Sequence, residues 1–292
     1  MRYPDAMRIV PPPPPTSFPP LPAASAWLLL RTVFKGRTRS AAPPPDTHYR
    51  LDRIDAGHVA RYRAAFGFPA EDVPLTYLYL LAQRAQLASM LAWSLPFRIP
   101  GLIHVENTLA LHGPLRPDAA LVLTTSLSLP PPAANGAVHA VLRTEARDGA
   151  AAIFDCESVY LIKRGQRNGP GAGPRPAPPS GTARAQWTLA AEAGRRYAAL
   201  SGDFNPIHLW PWSARLMGMR RPIIHGMHTV ARACAAFEQS QSDQRSVTTL
   251  QCRFTQPVPL GATAFLHDGA APGGFVVVCN DRVALEGTLA RA

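Results

Sequence analysis

The segment YAALSGDFNPIHLWPWSARLMGMRRPIIHG, residues 197–226, places a carboxylate, a carboxamide and an imidazole within six positions, at Asp203, Asn205 and His208. A helix cannot continue through Pro206, because proline lacks an amide hydrogen and its ring clashes with the preceding turn. Asp203 and His208 are five residues apart, which would place them on different faces of a regular helix. A bent loop is therefore predicted, and it would direct these polar side chains into one small volume.

Asp203 and His208 suit acid–base chemistry, since a carboxylate and an imidazole that share a water can each exchange a proton near neutral pH. Asn205 is placed to orient one of them or the water. The sequence His225-Gly226-Met227 opens an apolar run that predicts a buried helix. A glycine there would let a ligand carbonyl approach unpaired amide hydrogens, where the helix dipole favours negative charge. A structural reading stays open, because Asx turns and helix caps also place Asp, Asn and Ser near helix ends.

The segment resembles the signature of the MaoC-like, or R-specific, enoyl-CoA hydratases. That signature has an aromatic residue, then S-G-D-x-N-P-aliphatic-H, then a small residue after a five-residue gap, and later P-I-I-H-G-M. The matching positions are Tyr197, Ser201, Gly202, Asp203, Asn205, Pro206, Ile207, His208, Ala214 and residues 222–227. The resemblance implies reversible hydration of a trans-2-enoyl thioester to a (3R)-3-hydroxyacyl thioester, with no metal or redox cofactor. It implies that Asp203 and His208 are catalytic, that Asn205 fixes the geometry and that the Gly226 amide receives the thioester oxygen.

Further residues are predicted to contact the substrate. Some belong to the matched motifs, and others are arginines that suit the phosphates of CoA or of carrier-bound pantetheine. These candidates are Tyr197, Ser201, His225, Met227, Arg215, Arg220, Arg221 and Arg253. The chain is rich in arginine, so these arginines are at least as well interpreted as solvated surface charges that bind no phosphate.

Composition indicates a globular protein, because 47% of the 292 residues are hydrophobic and 17% are charged. Most of the formal charge of +11 lies in residues 1–50 and 161–184, so a broad basic face for nucleic acid is not expected. No apolar run approaches the length of a membrane-spanning helix. The four cysteines lie in apolar runs without C-x-x-C spacing, which indicates reduced thiols, no metal cluster and a cytoplasmic location.

Two copies of one element order are predicted, each with a strand, a short helix, a long buried helix and a run of alternating strands. In the first copy, the short helix is predicted to be capped by Asp55 and to stop at Gly67, and the long buried helix is predicted at 75–93. A strand is predicted at 247–254 in the second copy, and one short helix at 23–34 before the first. The predicted boundaries are a disordered Pro-rich basic leader at 1–46, a first repeat at 47–164, a Pro/Gly-rich linker at 165–182 and a second repeat at 183–292. This order predicts an α+β fold. The resemblance implies a double hotdog, in which two antiparallel sheets each wrap a long central helix and pack as a pseudo-dimer.

The two predicted repeats differ in the loop before the buried helix. Gly202 and Pro222 are 20 residues apart, whereas Gly67 and Pro74 are 7 apart, which leaves no room for a D-x-N-x-x-H turn. The first repeat is therefore predicted to be non-catalytic, and the resemblance implies that it shapes the acyl pocket. Two alternatives stay open: an acyl-CoA thioesterase on the same fold, and a non-catalytic acyl-thioester-binding protein. The choice between acyl-CoA and acyl carrier protein as substrate, the acyl length and a homodimeric state also stay open.

Overall fold

The computed structural model describes residues 17–23, 31–32, 34–38, 43–69, 72–116, 118–165, 177–240 and 246–291. The half of the chain before the linker folds as one strand, two helices and four further strands. These elements are β1 (Thr47–Leu51), α1 (Ala56–Phe66), α2 (Leu75–Ala92), β2 (Ile103–Leu111), β3 (Leu121–Ser128), β4 (Val138–Asp148) and β5 (Ala151–Lys163).

The half after the linker repeats this order, with two short helices inserted before its long helix. Its elements are β6 (Ala185–Thr188), α3 (Ala193–Ser201), a 3-10 helix (Pro206–His208), α4 (Pro211–Leu216), α5 (Gly226–Gln239), β7 (Val247–Phe254), β8 (Thr263–Asp268), β9 (Gly274–Cys279) and β10 (Arg282–Arg291). Residues 166–176 of the predicted linker lie outside the described residues.

The ten strands form one antiparallel sheet in the order β1-β3-β4-β5-β2-β7-β10-β9-β8-β6. The first five strands and the last five have the same arrangement on either side of the β2–β7 pair, so the two halves are related as pseudo-dimer partners. At that central pair, residues 106–110 of β2 lie opposite residues 249–253 of β7. The predicted α+β double hotdog is confirmed, with one refinement: the two sheets are joined edge to edge by hydrogen bonds.

Helices α2 and α5 are the central helices of the two halves, and they contact each other as well as the strands. Thirteen of the eighteen residues of α2 are buried, which explains why its sequence is apolar on nearly every side. The shorter α1 is capped at its start by Asp55, whose side chain accepts the N–H of His58, and at its end by Gly67, which has a left-handed φ of 78°. Both predicted ends of α1 are confirmed.

Part of the leader packs against the edge strand β1. The Leu21 N–H donates to the Arg50 carbonyl at 2.7 Å, and the Arg50 N–H donates to the Pro19 carbonyl at 2.8 Å. Leu21 is buried in the main hydrophobic core. The prediction of a disordered leader over residues 1–46 is therefore wrong for residues 17–23, because an edge strand offers free backbone groups that this segment satisfies.

The leader residues 1–16, 24–30, 33 and 39–42 lie outside the described residues, as does most of a possible short helix predicted at 23–34. Within the described part of the chain, none of the helices has both the length and the apolar character needed to cross a bilayer. The four cysteines are free and buried, as predicted from their apolar surroundings.

Candidate active site

The predicted bent loop connects α3 to the 3-10 helix and is held by its own polar side chains. Helix α3 ends at Gly202, which has a left-handed φ of 78°. Asp203 Oδ1 accepts the Asn205 N–H at 3.1 Å, and Asn205 Oδ1 accepts the Ile207 N–H at 3.4 Å, capping the 3-10 helix. The Asp203 N–H donates to Ser201 Oγ at 3.2 Å. The Asx-turn and cap reading is correct for the backbone, and these same bonds determine where Asp203 and His208 point.

Three polar side chains converge beside this loop. A carboxylate oxygen of Asp203 and one ring nitrogen each of His208 and His225 lie within 4.8 Å of one another. The rings of His208 and His225 stack with centroids 3.6 Å apart, and His225 Nε2 donates to the Asp203 carbonyl at 2.9 Å. Because these three groups are also suited to hold a metal ion, the expectation of a metal-free site stays a prediction.

Hydrogen bonds to carbonyls determine which nitrogen of each imidazole carries the hydrogen. His208 Nδ1 lies 2.8 Å from the Ile223 carbonyl oxygen, which can only accept, so Nδ1 is protonated and Nε2 keeps a lone pair. By the same argument His225 is protonated at Nε2, and its Nδ1 has no partner among the described residues.

Burial keeps both imidazoles neutral. It lowers the pKa of His208 below its usual 6.5, although the nearby Asp203 carboxylate opposes that shift. It lowers the pKa of His225 well below 6.5, and the neighbouring His208 lowers it further. At neutral pH, His208 is therefore an uncharged base.

The first half of the chain contributes a contact to this site that the sequence reading missed. Gln83 on α2 donates from Nε2 to Asp203 Oδ2 at 3.1 Å. Tyr79 and Tyr160 come from the same half, and burial, with a smaller effect of the Asp203 charge, raises the pKa of both hydroxyls. Two uncharged phenols therefore lie near the Asp203 carboxylate. Gln83 directly follows the apolar run at positions 77–82 of this mostly buried helix, and a polar side chain at that point is the sequence signal that could have indicated this contact.

Gly226 begins α5, and His225 is its N-cap residue. No acceptor among the described residues bonds the Gly226 N–H, so this amide is available at the positive end of the helix dipole. Packing gives a further reason for glycine at this position, because a Cβ would lie 2.5 Å from Cε1 of Phe254 on β7. The approach of a ligand carbonyl to the Gly226 amide stays a prediction.

Gly194 in α3 is a second residue that the sequence reading missed. A Cβ added at Gly194 would overlap the backbone carbonyl oxygen of His208. Helix α3 and the 3-10 helix can therefore approach this closely only at a glycine. The close packing holds the backbone of His208 in place.

Other predicted residues form the surroundings of the cluster. Tyr197 is buried with its ring centroid 4.9 Å from that of His225, and its hydroxyl has no partner within the described part of the chain. Met227 is buried in the first turn of α5. Ser201 is also buried and holds the Asp203 backbone, as described above. Tyr197 and Ser201 therefore contact His225 and the backbone of Asp203, and their contact with substrate stays a prediction.

The predicted phosphate-binding arginines lie on two separate elements of the fold, three on or after α4 and one on β7. Arg215 on α4 and Arg220 and Arg221 after it are exposed. Arg253 lies on the opposite face of β7 from Phe254, since side chains alternate along a strand, and it pairs with Glu106 at 3.7 Å. The role of Arg253 in binding substrate stays a prediction, and the Glu106 carboxylate is a competing partner for its charge.

Known proteins resemble this chain in sequence and in structure. Residues 177–267 match the family model of the MaoC like domain. Over 230 residues the chain is 32% identical to 3-hydroxyacyl-thioester dehydratase X of Mycobacterium tuberculosis, covering 76% of this chain and 79% of that protein. Over 66 residues it is 41% identical to peroxisomal enoyl-CoA hydratase 2 of Arabidopsis thaliana, covering 22% of this chain and 21% of that protein.

The crystal structure of HtdX of Mycobacterium tuberculosis matches with a TM-score of 0.66 at 26% identity, covering 84% of this chain and 100% of that chain. The crystal structure of a MaoC-like dehydratase from Phytophthora capsici matches with a TM-score of 0.65, covering 85% of this chain and 95% of that chain. Its identity of 18% makes this second likeness one of fold alone.

Proposed function

The chain belongs to the MaoC-like family of 3-hydroxyacyl-thioester dehydratases, and we propose that it reversibly hydrates trans-2-enoyl thioesters to (3R)-3-hydroxyacyl thioesters. As a member of this family it is a hydro-lyase that acts on acyl thioesters. The observation that carries the proposal is the convergence of Asp203, His208 and His225, since His225 is the N-cap of the helix that begins with the available amide of Gly226. The R configuration follows from the resemblance of the loop motif.

His208 acts as the base toward the attacking water in this proposal. Its Nε2 holds the lone pair, because Nδ1–H is already bonded to the Ile223 carbonyl. As the water oxygen bonds to C3, Nε2 takes one water proton, and Asp203 orients the water by accepting a hydrogen bond from it. The imidazolium then donates the proton to C2. The product carries the new hydroxyl group on C3 and the new hydrogen on C2, and both His208 and Asp203 return to their starting protonation states.

Negative charge develops on the thioester oxygen during this addition. The Gly226 N–H at the start of α5 receives that oxygen, and the loss of such a donor in other acyl-transfer sites costs about 3 kcal/mol. Asn205, Ser201 and His225 hold the loop, and Gln83 orients the Asp203 carboxylate. These groups supply the acid, the base and the oxyanion donor, so the proposed reaction uses no metal or redox cofactor.

Asp203→Asn and His208→Gln test this assignment. Each variant should lose at least about 100-fold in the rate of crotonyl-CoA hydration, measured by the loss of enoyl absorbance, with an unchanged circular dichroism spectrum. Asp281→Asn and His267→Gln are controls of the same chemistry outside the site, and both should keep the native rate. Near-native turnover in either site variant would remove that residue from the mechanism.

The same assay separates the alternatives. A thiol reagent in the cuvette detects thioester hydrolysis, which the proposal does not expect. The product should serve as substrate for a dehydrogenase specific for (3R)-3-hydroxyacyl-CoA and not for one specific for the 3S form. Binding of acyl-CoA without turnover of any enoyl-CoA would instead favour a non-catalytic binding protein.

A further inference from the structure

A cleft of about 610 Å³ opens between the two halves of the chain. Its walls come from Ala23 of the leader, from the end of β1 and the segment after it, and from α1, α2 and α3. The cationic residues that line it are Arg53, Arg61, Arg84 and Arg196. Asp55 is the one acidic side chain among the described lining residues, and it is already bonded to the N–H of His58 as the cap of α1. The cleft is therefore strongly basic.

These charges are largely available to a ligand. Arg53 and Arg61 are exposed, and neither forms an ion pair with another described residue. Arg84 is partly buried and donates to a leader carbonyl at 2.9 Å, which leaves its charge unneutralised. Arg196 pairs with Glu192 at 2.8 Å on the surface of α3, where such a pair is weak.

The cleft ends where the catalytic loop begins. Ser201 lines the cleft, and its Oγ accepts the N–H of Asp203 at 3.2 Å. Arg84 directly follows Gln83, the residue that binds the Asp203 carboxylate. His58 donates from Nε2 to the Leu200 carbonyl at 2.8 Å and so ties α1 to the last turn of α3. A ligand in the cleft would therefore lie against the residues that support the site.

We propose that this cleft binds the nucleotide phosphates of coenzyme A thioesters, an assignment that rests on the proposed hydratase function. Coenzyme A carries a pyrophosphate and a 3′-phosphate, whereas a carrier protein presents its pantetheine through a single phosphodiester. Planar guanidinium groups bind phosphate oxygens in pairs, so four arginines match the more highly charged ligand. Leu80, Leu81 and Ala199 supply apolar wall between the charges. The sequence-based candidates Arg215, Arg220, Arg221 and Arg253 are all absent from the described lining of this cleft.

The double variant Arg53→Gln/Arg61→Gln tests the assignment, because both side chains are exposed and their loss should leave the fold intact. The KM for crotonyl-CoA should rise roughly tenfold with kcat unchanged, as expected for lost charge-assisted bonds at a solvated site. The kinetics with crotonyl-pantetheine, which has no nucleotide, should not change. Arg98→Gln/Arg282→Gln removes two exposed arginines outside the cleft and should match the native protein.

An unchanged KM for crotonyl-CoA in Arg53→Gln/Arg61→Gln would overturn the assignment while leaving the hydratase proposal intact. A selective rise in Arg215→Gln/Arg221→Gln would move the phosphate site to α4 and overturn it as well. If the native protein hydrates neither substrate, the hydratase proposal fails. The cleft is then tested alone by calorimetry with adenosine 3′,5′-bisphosphate: no binding overturns the assignment, and binding that Arg53→Gln/Arg61→Gln abolishes supports it.

Discussion

Replacing Gln83 by methionine should slow hydration about tenfold and leave KM nearly unchanged. Gln83 Nε2 donates to Asp203 Oδ2 at 3.1 Å, and methionine keeps the length of the side chain while removing the donor. The other carboxylate oxygen accepts the Asn205 N–H at 3.1 Å. Gln83 therefore supplies one of two bonds, among the described residues, that set the rotation of the carboxylate toward the water.

The magnitude follows from the kind of bond that is lost. A hydrogen bond to a charged group contributes about 1.5–3 kcal/mol, and partial exposure places the Gln83 bond near the lower value. Since about 1.36 kcal/mol corresponds to a tenfold change in rate, kcat should fall slightly more than tenfold. Gln83→Glu should be more severe, because it places a second carboxylate against Asp203.

The assay is kcat and KM for crotonyl-CoA, with the melting temperature measured in parallel. Gln251→Met is the matched control, because Gln251 is an exposed glutamine on the outer face of β7. A native kcat and melting temperature in Gln83→Met would refute the role of Gln83 in orienting Asp203. A loss of activity that follows a fall in melting temperature would make the contact structural only.

Three further outcomes are expected. Gly194→Ala should lower the melting temperature and kcat together, because the methyl group overlaps the His208 carbonyl and overpacking costs about 1–3 kcal/mol; native values of both would exclude the clash. Gly226→Ala should lower the melting temperature, because the added methyl group meets the ring of Phe254, and Gly226→Ala/Phe254→Leu should restore it. Equal melting temperatures of the single and double variants would exclude that contact. Burial lowers the pKa of His228 to about 3, so between pH 6.5 and 5 the unfolded chain binds a proton that the native chain does not. The other buried histidines add to the loss of stability, so the His228 contribution is read as the difference from His228→Phe in urea unfolding, and the variant should lose about 2 kcal/mol less than the native protein over that range.

Local patterns predicted most of the secondary structure. The strand predicted at 247–254 is β7 (Val247–Phe254), and the helix predicted at 75–93 is α2 (Leu75–Ala92). The cap at Asp55 and the turn at Gly67 could be predicted from the sequence, because their hydrogen bonds join residues only a few positions apart. The bent loop at Asp203 was readable for the same reason, since Asx bonds and Pro206 act over two or three positions.

Contacts between distant parts of the chain were not readable in this way. The leader segment 17–23 pairs with β1, although its composition predicted disorder. The requirement for glycine at position 226 comes from the ring of Phe254, and the requirement at position 194 comes from the His208 carbonyl. The spacing of residues in the sequence does not predict these close contacts, because each contact depends on how two separate elements pack against each other.

By itself, the sequence determined the kind of chemistry: a carboxylate and an imidazole on one bent loop, followed by a helix that begins at Gly226. Tertiary structure decided which groups complete that site. Gln83 lies 120 residues before Asp203 and reaches it only because the pseudo-dimer packs α2 of the first half against the Asp203 loop of the second. The physical reason is that turns and caps are encoded by adjacent residues, whereas an interface between the two halves exists only after both have folded.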